Sequence, residues 1–280
     1  MIRDKAILYM ISSVIAFAFM NTIVKYLTTF SVYQIVFFRT IGTLAFTIPL
    51  TIKYKIPFLG TQKKLLLLRG ISGLVSLICF FEALNYLPVG TAVSLRYTSP
   101  IFASIFALLL LKEKIKPIQW VLFLIAFIGV LIIKGFGVDI SYLGLFFIIL
   151  SAIFLGLIFV LIRKLGNKEN PIVIINYFMV MAFVFGGLMS INNWKHPNGK
   201  EWFLLLSLGI FGYIGQLYMT KAFQSNQTNI IAPLKYLEIV FTIILGVFWF
   251  EEIYNFYTLL GISLILLGLV YNIYIKRKLS

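Results

Sequence analysis

Apolar residues fill ten successive stretches of the chain, each about as long as a helix that crosses a bilayer. Such a helix needs about 20 consecutive, mostly apolar residues, and these stretches are too uniformly apolar for surface helices or strands. Only short connections separate them, so the pattern predicts ten membrane-spanning helices and no separate soluble domain. The predicted spans are residues 6–28, 33–53, 65–87, 91–111, 117–135, 141–162, 171–191, 202–223, 228–250 and 255–275.

The composition agrees with an environment made largely of lipid. The 280 residues are 61% hydrophobic and 12% charged, whereas a soluble domain carries about a quarter charged residues. A net charge of +15 could indicate nucleic-acid binding, but the basic residues lie mainly in short loops between apolar stretches. The single cysteine, Cys79, excludes a disulfide framework and is interpreted as a packing residue.

The basic residues also predict an orientation, because Lys and Arg accumulate on the cytoplasmic side of membrane proteins. Sixteen Lys and Arg residues, Arg69 among them, fall on the same side as the N-terminus, and four fall on the other side. Both termini are therefore predicted to be cytoplasmic, in a multi-pass protein of a bacterial inner membrane.

The two halves of the sequence repeat. A shift of 139 positions aligns two 60-residue stretches without a gap, and the first helix of each half aligns at a shift of 138; the matches include small, charged and aromatic residues. Five helices per half is an odd number, so halves 1–137 and 138–280 are predicted to be inverted relative to each other, as in many transporters. Duplication as a simple route to a stable bundle is the alternative. The aligned pairs include Ser13 with Ser151, Lys25 with Arg163, Gly70 with Gly209, Gly73 with Gly212, Ser76 with Gly215, and Arg96-Tyr97 with Lys235-Tyr236.

Small residues and prolines mark special places in the predicted spans. The stripes Gly70-x-x-Gly73-x-x-Ser76 and Gly209-x-x-Gly212-x-x-Gly215 follow no strand, so they are not dinucleotide fingerprints. At helical spacing they predict a close approach of neighbouring backbones. Pro100 and Pro233 are expected to interrupt the helical hydrogen bonds, either shaping a binding site or forming a harmless kink.

Several motifs resemble the EamA family of the drug/metabolite transporter superfamily, and the resemblance covers the whole chain. It implies ten helices in two sets of five around a central cavity, no enzyme activity and no cofactor or metal. Family members carry amino acids, nucleotide-like cofactors, vitamins or organic anions in either direction. The motifs are Arg69-Gly70, Ala83-Leu84-Asn85-Tyr86-Leu87-Pro88, Pro100, Leu111-Lys112-Glu113 and Ala232-Pro233-Leu234-Lys235-Tyr236-Leu237-Glu238.

Ionisable residues inside spans are the first candidates for function, because inserting each one costs about 2.5–3.5 kcal/mol. Counting 1.5 Å per helical residue places Glu82 and Arg96 at a common depth of about 8 Å below one surface. Lys221 and Lys235 lie at the matching depth below the other surface, with Glu238 one turn deeper. The six residues are Arg39, Glu82, Arg96, Lys221, Lys235 and Glu238.

We hypothesise two charge clusters that act as gates on either side of a cavity. Glu82 with Arg96, joined by Arg39, would form the outer gate. Lys221 or Lys235 with Glu238 would form the inner gate. Static ion pairs between helices, or long side chains that reach back to the interface, are the alternatives. Four positive and two negative groups suit an anionic or zwitterionic small molecule.

Uncharged polar residues add further candidates. Tyr97 and Tyr236 can stack on a planar solute and donate a hydrogen bond, although Tyr is also common as an anchor at the membrane interface. Asn21, Asn176 and Gln216 need hydrogen-bond partners within the membrane. They either join helices or contact the solute.

The function predicted from the sequence is secondary-active or facilitative transport of a small polar metabolite by alternating access. Protons are a candidate coupling ion, and a monomer and a homodimer are both compatible with the pattern. A lipid-carrier flippase of the same superfamily is the alternative. An intramembrane enzyme is disfavoured because the single histidine, His196, lies in a loop, and a channel because the spans show no repeated polar rings.

Overall fold

The computed structural model describes residues 2–111, 117–136, 141–224 and 237–278, and all regular elements within them are helical. Two single-turn 3-10 helices, Gly166–Lys168 and Ile191–Asn193, follow α7 and α8. The helices are α1 (Ile2–Tyr26), α2 (Val32–Lys53), α3 (Lys63–Tyr86), α4 (Val89–Arg96), α5 (Ser99–Leu111), α6 (Pro117–Phe136), α7 (Tyr142–Leu165), α8 (Pro171–Ser190), α9 (Lys200–Gln224), α10 (Leu237–Phe250) and α11 (Phe256–Lys278).

Seven segments of the described chain are long and apolar enough to cross a membrane. Two shorter apolar helices, Leu237–Phe250 and Phe256–Gly268, follow them. The all-helical membrane fold predicted from the sequence is therefore confirmed. The seven segments are Ile7–Tyr26, Val32–Lys53, Lys63–Tyr86, Val89–Leu110, Tyr142–Ile162, Pro171–Asn193 and Lys200–Ala222.

The predicted span at 91–111 consists of two helices with a short break between them. α4 ends at Arg96, and Tyr97 has φ −74° and ψ 7°, outside the helical region. Proline has no backbone N–H, so Pro100 cannot donate the helical hydrogen bond to the carbonyl oxygen of Arg96, four residues before it. Pro100, in the first turn of α5, therefore explains the break predicted from the sequence. Pro233 lies outside the described residues.

Local sequence sets where two of the spans begin. The side chain of Ser31 accepts a hydrogen bond from the backbone N–H of Gln34 at the start of α2. Asn170 accepts one from Ile172 at the start of α8, where Pro171 occupies the first helical position. Such residues satisfy backbone donors that have no partner within the helix.

Close packing of α2 against α9 depends on glycine. A Cβ atom added to Gly209 would lie 2.4 Å from Cα of Gly42, so no larger residue fits without moving the helices apart. Thr43 Oγ1 donates a hydrogen bond to Gly209 O across the same contact, at 3.3 Å. The close approach predicted from the second glycine stripe is thus present at Gly209.

Two equivalent hydrogen bonds join helices from different halves of the sequence. Ser13 on α1 donates to Gly215 O on α9 at 2.7 Å, and Ser151 on α7 donates to Ser76 O on α3 at 2.8 Å. The repeat aligns Ser13 with Ser151 and Gly215 with Ser76. The α1–α9 and α3–α7 contacts are both extensive, so the same interaction occurs at two places.

Candidate functional site

A buried carboxyl group lies where α1, α4 and α10 meet. Glu238, the second residue of α10, is only 3% exposed. Its Oε2 accepts a hydrogen bond from the hydroxyl of Tyr97 at 2.6 Å, and its Oε1 accepts one from Asn21 Nδ2 at 3.0 Å. Because Tyr97 follows the last residue of α4, the break before α5 places its ring here. We call Glu238, Tyr97 and Asn21 the Glu238 cluster.

Two buried arginines share one aromatic ring. Arg69 Cζ lies 4.9 Å from the centroid of the Phe178 ring, and Arg39 Cζ lies 5.7 Å from the same centroid. Arg39 also lies 5.8 Å from the ring of Phe81. Guanidinium groups within about 6 Å of a ring are attracted to its face, so α2, α3 and α8 meet in a contact between cations and a ring.

Arg96 continues this arrangement. Its Cζ lies 4.1 Å from the ring of Phe80, and the Phe80 and Phe81 ring centroids are 6.0 Å apart. Arginines and phenylalanines from α2, α3, α4 and α8 therefore form a series of successive contacts inside the bundle. We call this the arginine row: Arg69, Phe178, Arg39, Phe81, Phe80 and Arg96.

The arginine row contains little polar compensation. Within the described part of the chain, Nε and Nη1 of both Arg39 and Arg69 are buried without a hydrogen-bond partner. Arg96 donates one long hydrogen bond, from Nη2 to Ser76 Oγ at 3.4 Å. Arg39 lies within range of electrostatic repulsion by Arg69 and Arg96, whereas Arg96 is attracted by Glu238. Arg96 thus connects the arginine row to the Glu238 cluster.

The predicted pair of Glu82 and Arg96 does not form in the described structure. Glu82 is partly exposed and accepts a hydrogen bond from Asn85 of its own helix at 3.3 Å. Arg96 instead contacts the face of α3 that carries Ser76 and Phe80. Two helical residues two positions apart point in nearly opposite directions, so Phe80 and Glu82 face different surroundings. The predicted pairing considered only the depth of the two residues along their helices and not the direction in which each side chain faces.

The predicted inner gate differs in a similar way. Lys221, in the last turn of α9, is exposed and lies 5.8 Å from the ring of Tyr9. It borders a cleft of about 520 Å³ together with Tyr54 and Asn170. Among the described residues Lys221 has no contact with Glu238, whose hydrogen bonds to Tyr97 and Asn21 reach the first half of the chain. The pairing of Lys221 with Glu238 was therefore wrong, and Lys235 and Tyr236 lie outside the described residues.

The remaining polar candidates are buried. Asn176 Nδ2 donates to Thr51 Oγ1 at 3.0 Å, which joins α8 to α2 and agrees with a role in helix association. Gln216 on α9 is buried as well, one residue after Gly215, which accepts the Ser13 hydrogen bond. Of Asn21, Asn176 and Gln216, only Asn21 contacts an ionisable side chain within the described part of the chain.

The turn between α3 and α4 is held from two sides. Lys25 Nζ donates to the carbonyl oxygens of Leu84 at 2.7 Å and Leu87 at 2.8 Å. Glu252 Oε1 accepts a hydrogen bond from the backbone N–H of Val89 at 3.0 Å, and Glu252 Oε2 accepts one from the hydroxyl of Tyr254. Burial, together with the neighbouring Glu252 carboxylate, raises the pKa of Tyr254 above its usual value. Groups from both halves thus fix this turn.

A second loop contact joins the α2–α3 loop to the segment before α8. Glu169 Oε1 accepts hydrogen bonds from Thr61 N and Thr61 Oγ1, both at 2.7 Å, and from Gln62 N at 2.6 Å. Burial acts to raise the pKa of Glu169, but these hydrogen bonds outweigh it and lower the pKa below its usual value. The contact fixes the start of α3.

Sequence reasoning missed Arg69 and Phe178. Arg69 was counted among the basic residues of a loop, yet it lies inside α3 and is 2% exposed. Its position six residues after the start of an apolar helix is a signal that would have identified it. Phe178 resembles any other apolar residue in the sequence, so only the structure reveals its contacts. No group of three potential metal ligands occurs among the described residues.

Comparisons with known proteins agree on one family. The EamA-like transporter family model matches residues 4–135 and again residues 142–274. The pseudopaline exporter CntI of Pseudomonas aeruginosa is 31% identical over 259 residues, covering 91% of this chain and 90% of its own length. A solved crystal structure aligns over 99% of both chains with a TM-score of 0.70 and 18% identity, which shows a shared fold.

Two further relatives have the same general activity. The S-adenosylmethionine uptake transporter of Rickettsia conorii is 28% identical over 92% of this chain and 88% of its own. Human solute carrier family 35 member G1 is 28% identical over 90% of this chain and 74% of its own. With both halves matched by the family model, the chain belongs to the EamA-like transporter family of the drug/metabolite transporter superfamily, and it is a membrane transporter, not an enzyme.

Proposed function

We propose that this protein carries a small polar metabolite across a bacterial inner membrane by alternating access between two inverted halves, residues 1–137 and 138–280. The solute is an amino acid, a nucleotide-like cofactor, a vitamin or an organic anion. One relative exports pseudopaline and another takes up S-adenosylmethionine. This supports a metabolite as the solute and leaves the direction of transport to experiment.

Two observations support ten spans in two inverted sets of five. The family model matches each half separately, and the Ser13–Gly215 and Ser151–Ser76 hydrogen bonds join aligned positions in exchanged halves. Removing the buried Arg69 from the loop count leaves fifteen basic residues on one side against four on the other. That excess supports cytoplasmic N- and C-termini.

The observation that carries the mechanism is the Glu238 cluster. Glu238 belongs to the second half, whereas Tyr97 and Asn21 belong to the first. If the halves rock against each other, these buried hydrogen bonds must break and form again, so the cluster acts as a gate. Arg96, attracted by Glu238, is a second partner available to its carboxylate. The other predicted solute-binding or gating positions are Arg39, Glu82, Lys221, Lys235, Tyr236 and Gln216.

Reconstitution tests the proposal. A thermal-shift screen of the purified protein against amino acids, nucleotides, vitamins and organic acids selects solutes, whose uptake into liposomes is then measured. Uptake that responds to an imposed pH gradient identifies protons as the coupling ion. Binding of polyprenyl phosphates without uptake of any soluble compound would instead favour a lipid-carrier flippase.

The gating role has its own test. Arg96→Gln and Lys235→Gln are expected to slow uptake at least tenfold while the amount of protein in the membrane stays normal. Lys64→Gln, which removes a charge from the exposed start of α3, is the matched control. Unchanged uptake in both Arg96→Gln and Lys235→Gln would end the gating proposal.

A further inference from the structure

We propose that Arg39 and Arg69, which both contact the ring of Phe178, bind an oxyanion group of the carried solute, a carboxylate or a phosphate. This inference depends on the proposed transport function and specifies the solute chemistry. It follows from the arginine row, where two cations are buried without an acidic partner among the described residues.

Both side chains are almost fully enclosed. Arg39 is 3% exposed and Arg69 is 2% exposed, and a guanidinium group remains charged at neutral pH. In each, Nε and Nη1 are buried without a hydrogen-bond partner within the described residues. Arg39 and Arg69 therefore present several unused donors inside the membrane, where water is scarce.

Aromatic contacts alone do not compensate for this burial. The Phe178 ring attracts both guanidinium groups, but a ring face accepts no conventional hydrogen bond from the unused N–H donors. Arg39 is also repelled by Arg96 and by Arg69. An oxyanion beside these guanidinium groups would accept hydrogen bonds from the unused donors and offset the positive charge, and the planar guanidinium matches carboxylate and phosphate geometry.

The glycine stripes leave room for the two guanidinium groups. A Cβ atom added to Gly73 would lie 3.0 Å from Arg69 Nη1 and 2.8 Å from Phe178 Cδ2. One added to Gly212 would lie 3.3 Å from Arg39 Nε. Gly73 and Gly212 are aligned positions of the two halves. The stripes thus accommodate the arginines and the ring in addition to the backbone contact at Gly209.

A purely structural role for the arginines makes a different prediction about stability. If Arg39 and Arg69 only hold helices together, replacing either by Met should lower Tm. If they are binding residues without a ligand, the same replacement removes an uncompensated buried charge. Such replacements by apolar residues of similar size are often neutral or stabilising, so an unchanged or higher Tm is expected for Arg39→Met and Arg69→Met without added anion.

The test measures thermal unfolding of the purified protein in neutral detergent with inorganic phosphate or citrate, against sodium chloride at equal ionic strength. A probe at about ten times its Kd should raise the wild-type Tm by about 3–6 °C. Arg39→Met and Arg69→Met should each lose this response while eluting as single species. Lys64→Met, on the exposed start of α3, should retain it.

Three results overturn the proposal. The first is a wild-type Tm that rises no more with phosphate or citrate than with chloride, and the second is a full rise in Tm in the Arg39→Met and Arg69→Met variants. The third is a lower Tm of these variants than of the wild type when no anion is added. Adding phosphatidylglycerol distinguishes a lipid headgroup from a soluble solute as the natural oxyanion. If the site binds lipid headgroups, the lipid abolishes the rise in Tm with phosphate; if the site binds a solute, the rise remains. Uptake of a neutral or cationic solute without any anion response would refute this inference and leave the transport function standing.

Discussion

The Glu238 cluster and the arginine row are both buried polar regions within the spans, but they differ in how their groups are satisfied. Both carboxyl oxygens of Glu238 accept hydrogen bonds, from Tyr97 and from Asn21. In the described chain, Arg39 and Arg69 contact aromatic rings and make no hydrogen bond that uses their Nε or Nη1. We call the network around the Glu238 carboxyl closed, because both of its oxygens have protein donors, although Asn21 Oδ1 is buried without a hydrogen-bond partner among the described residues. The arginine row is open.

Magnitudes explain why this difference matters. Insertion of a charged residue costs about 2.5–3.5 kcal/mol, and hydrogen bonds to a charged group contribute about 1.5–3 kcal/mol each. Two such bonds offset the burial of Glu238. A contact between a cation and a ring contributes about 0.5–2 kcal/mol, so the single ring of Arg69 offsets only part of its burial. Arg39 contacts two rings, but neither accepts a hydrogen bond from its buried Nε and Nη1 donors. A closed network suits a contact between the two halves, whereas an open one suits a ligand site.

The largest expected effect comes from breaking the closed network. Glu238→Ala leaves the Tyr97 hydroxyl and the Asn21 amide buried without their acceptor, and should destabilise the protein by about 3–5 kcal/mol. Thermal unfolding in detergent should show a fall in Tm of more than about 6 °C. Glu82→Ala is the matched control, because Glu82 is partly exposed and, among the described residues, forms a hydrogen bond only with Asn85. Equal shifts for Glu82→Ala and Glu238→Ala would contradict the distinction.

Removing one bond of the same network should have a smaller effect. Tyr97→Phe keeps the ring and deletes the hydroxyl that donates to Glu238 Oε2, so a loss of about 1.5–3 kcal/mol is expected from chemical denaturation. Tyr86→Phe provides the comparison, since Tyr86 is 41% exposed and should change stability by less than about 0.5 kcal/mol. A Tyr97→Phe protein as stable as the wild type would mean that this bond is unimportant.

Adding a methyl group beside the arginine row should lower the free energy of unfolding by as much as Tyr97→Phe does, or by less. Gly73→Ala places a methyl group against Phe178 and Arg69, and overpacking of this kind costs about 1–3 kcal/mol. The phosphate-dependent rise in Tm should shrink together with it. Gly187→Ala is the control, because its nearest neighbour would be Phe37 Cδ2 at 3.3 Å. If the Tm of the Gly73→Ala protein rose with phosphate as much as that of the wild type, the space at Gly73 would not matter for anion binding by the arginine row.

The smallest effect on stability is expected outside the spans, at Glu169, whose carboxylate accepts hydrogen bonds from Thr61 and Gln62. The pKa of Glu169 is lower in the folded protein than in the unfolded chain, so its contribution to stability is present above the unfolded value of about 4.3. That contribution is lost as the pH falls through the folded pKa. Glu169→Gln should therefore flatten the acid side of a plot of Tm against pH, while Glu201→Gln, in a partly exposed ion pair with Lys195, should change it less.

The sequence predicted much of the fold because apolar length, proline and glycine act locally. The span boundaries agree with the helices to within a few residues across α1–α3 and α7–α9. The break before α5 follows from Pro100 for the same reason. The close contact at Gly209 follows from the absence of a side chain, which needs no knowledge of the partner helix.

The candidate site was harder to predict because its contacts depend on rotation about helix axes. Counting residues places Glu82 and Arg96 at one depth, but packing decides that Arg96 faces Phe80 and that Glu82 faces Asn85. Glu238 lies at the start of the apolar helix α10, and its partners Tyr97 and Asn21 are more than 140 residues distant in the sequence. Only the packing of α10 against α1 and α4 brings them together.

The proposed alternating access depends most on the opposite orientation of the two halves in the membrane. Lys114→Cys and Ile253→Cys can each be introduced into a Cys79→Ser background and labelled in intact cells with a membrane-impermeant maleimide. We expect the cysteine at position 253 to react from outside and the one at position 114 to react only after the membrane is permeabilised. Reaction of both from the same side would contradict inverted halves, and the proposed gate between them would no longer hold.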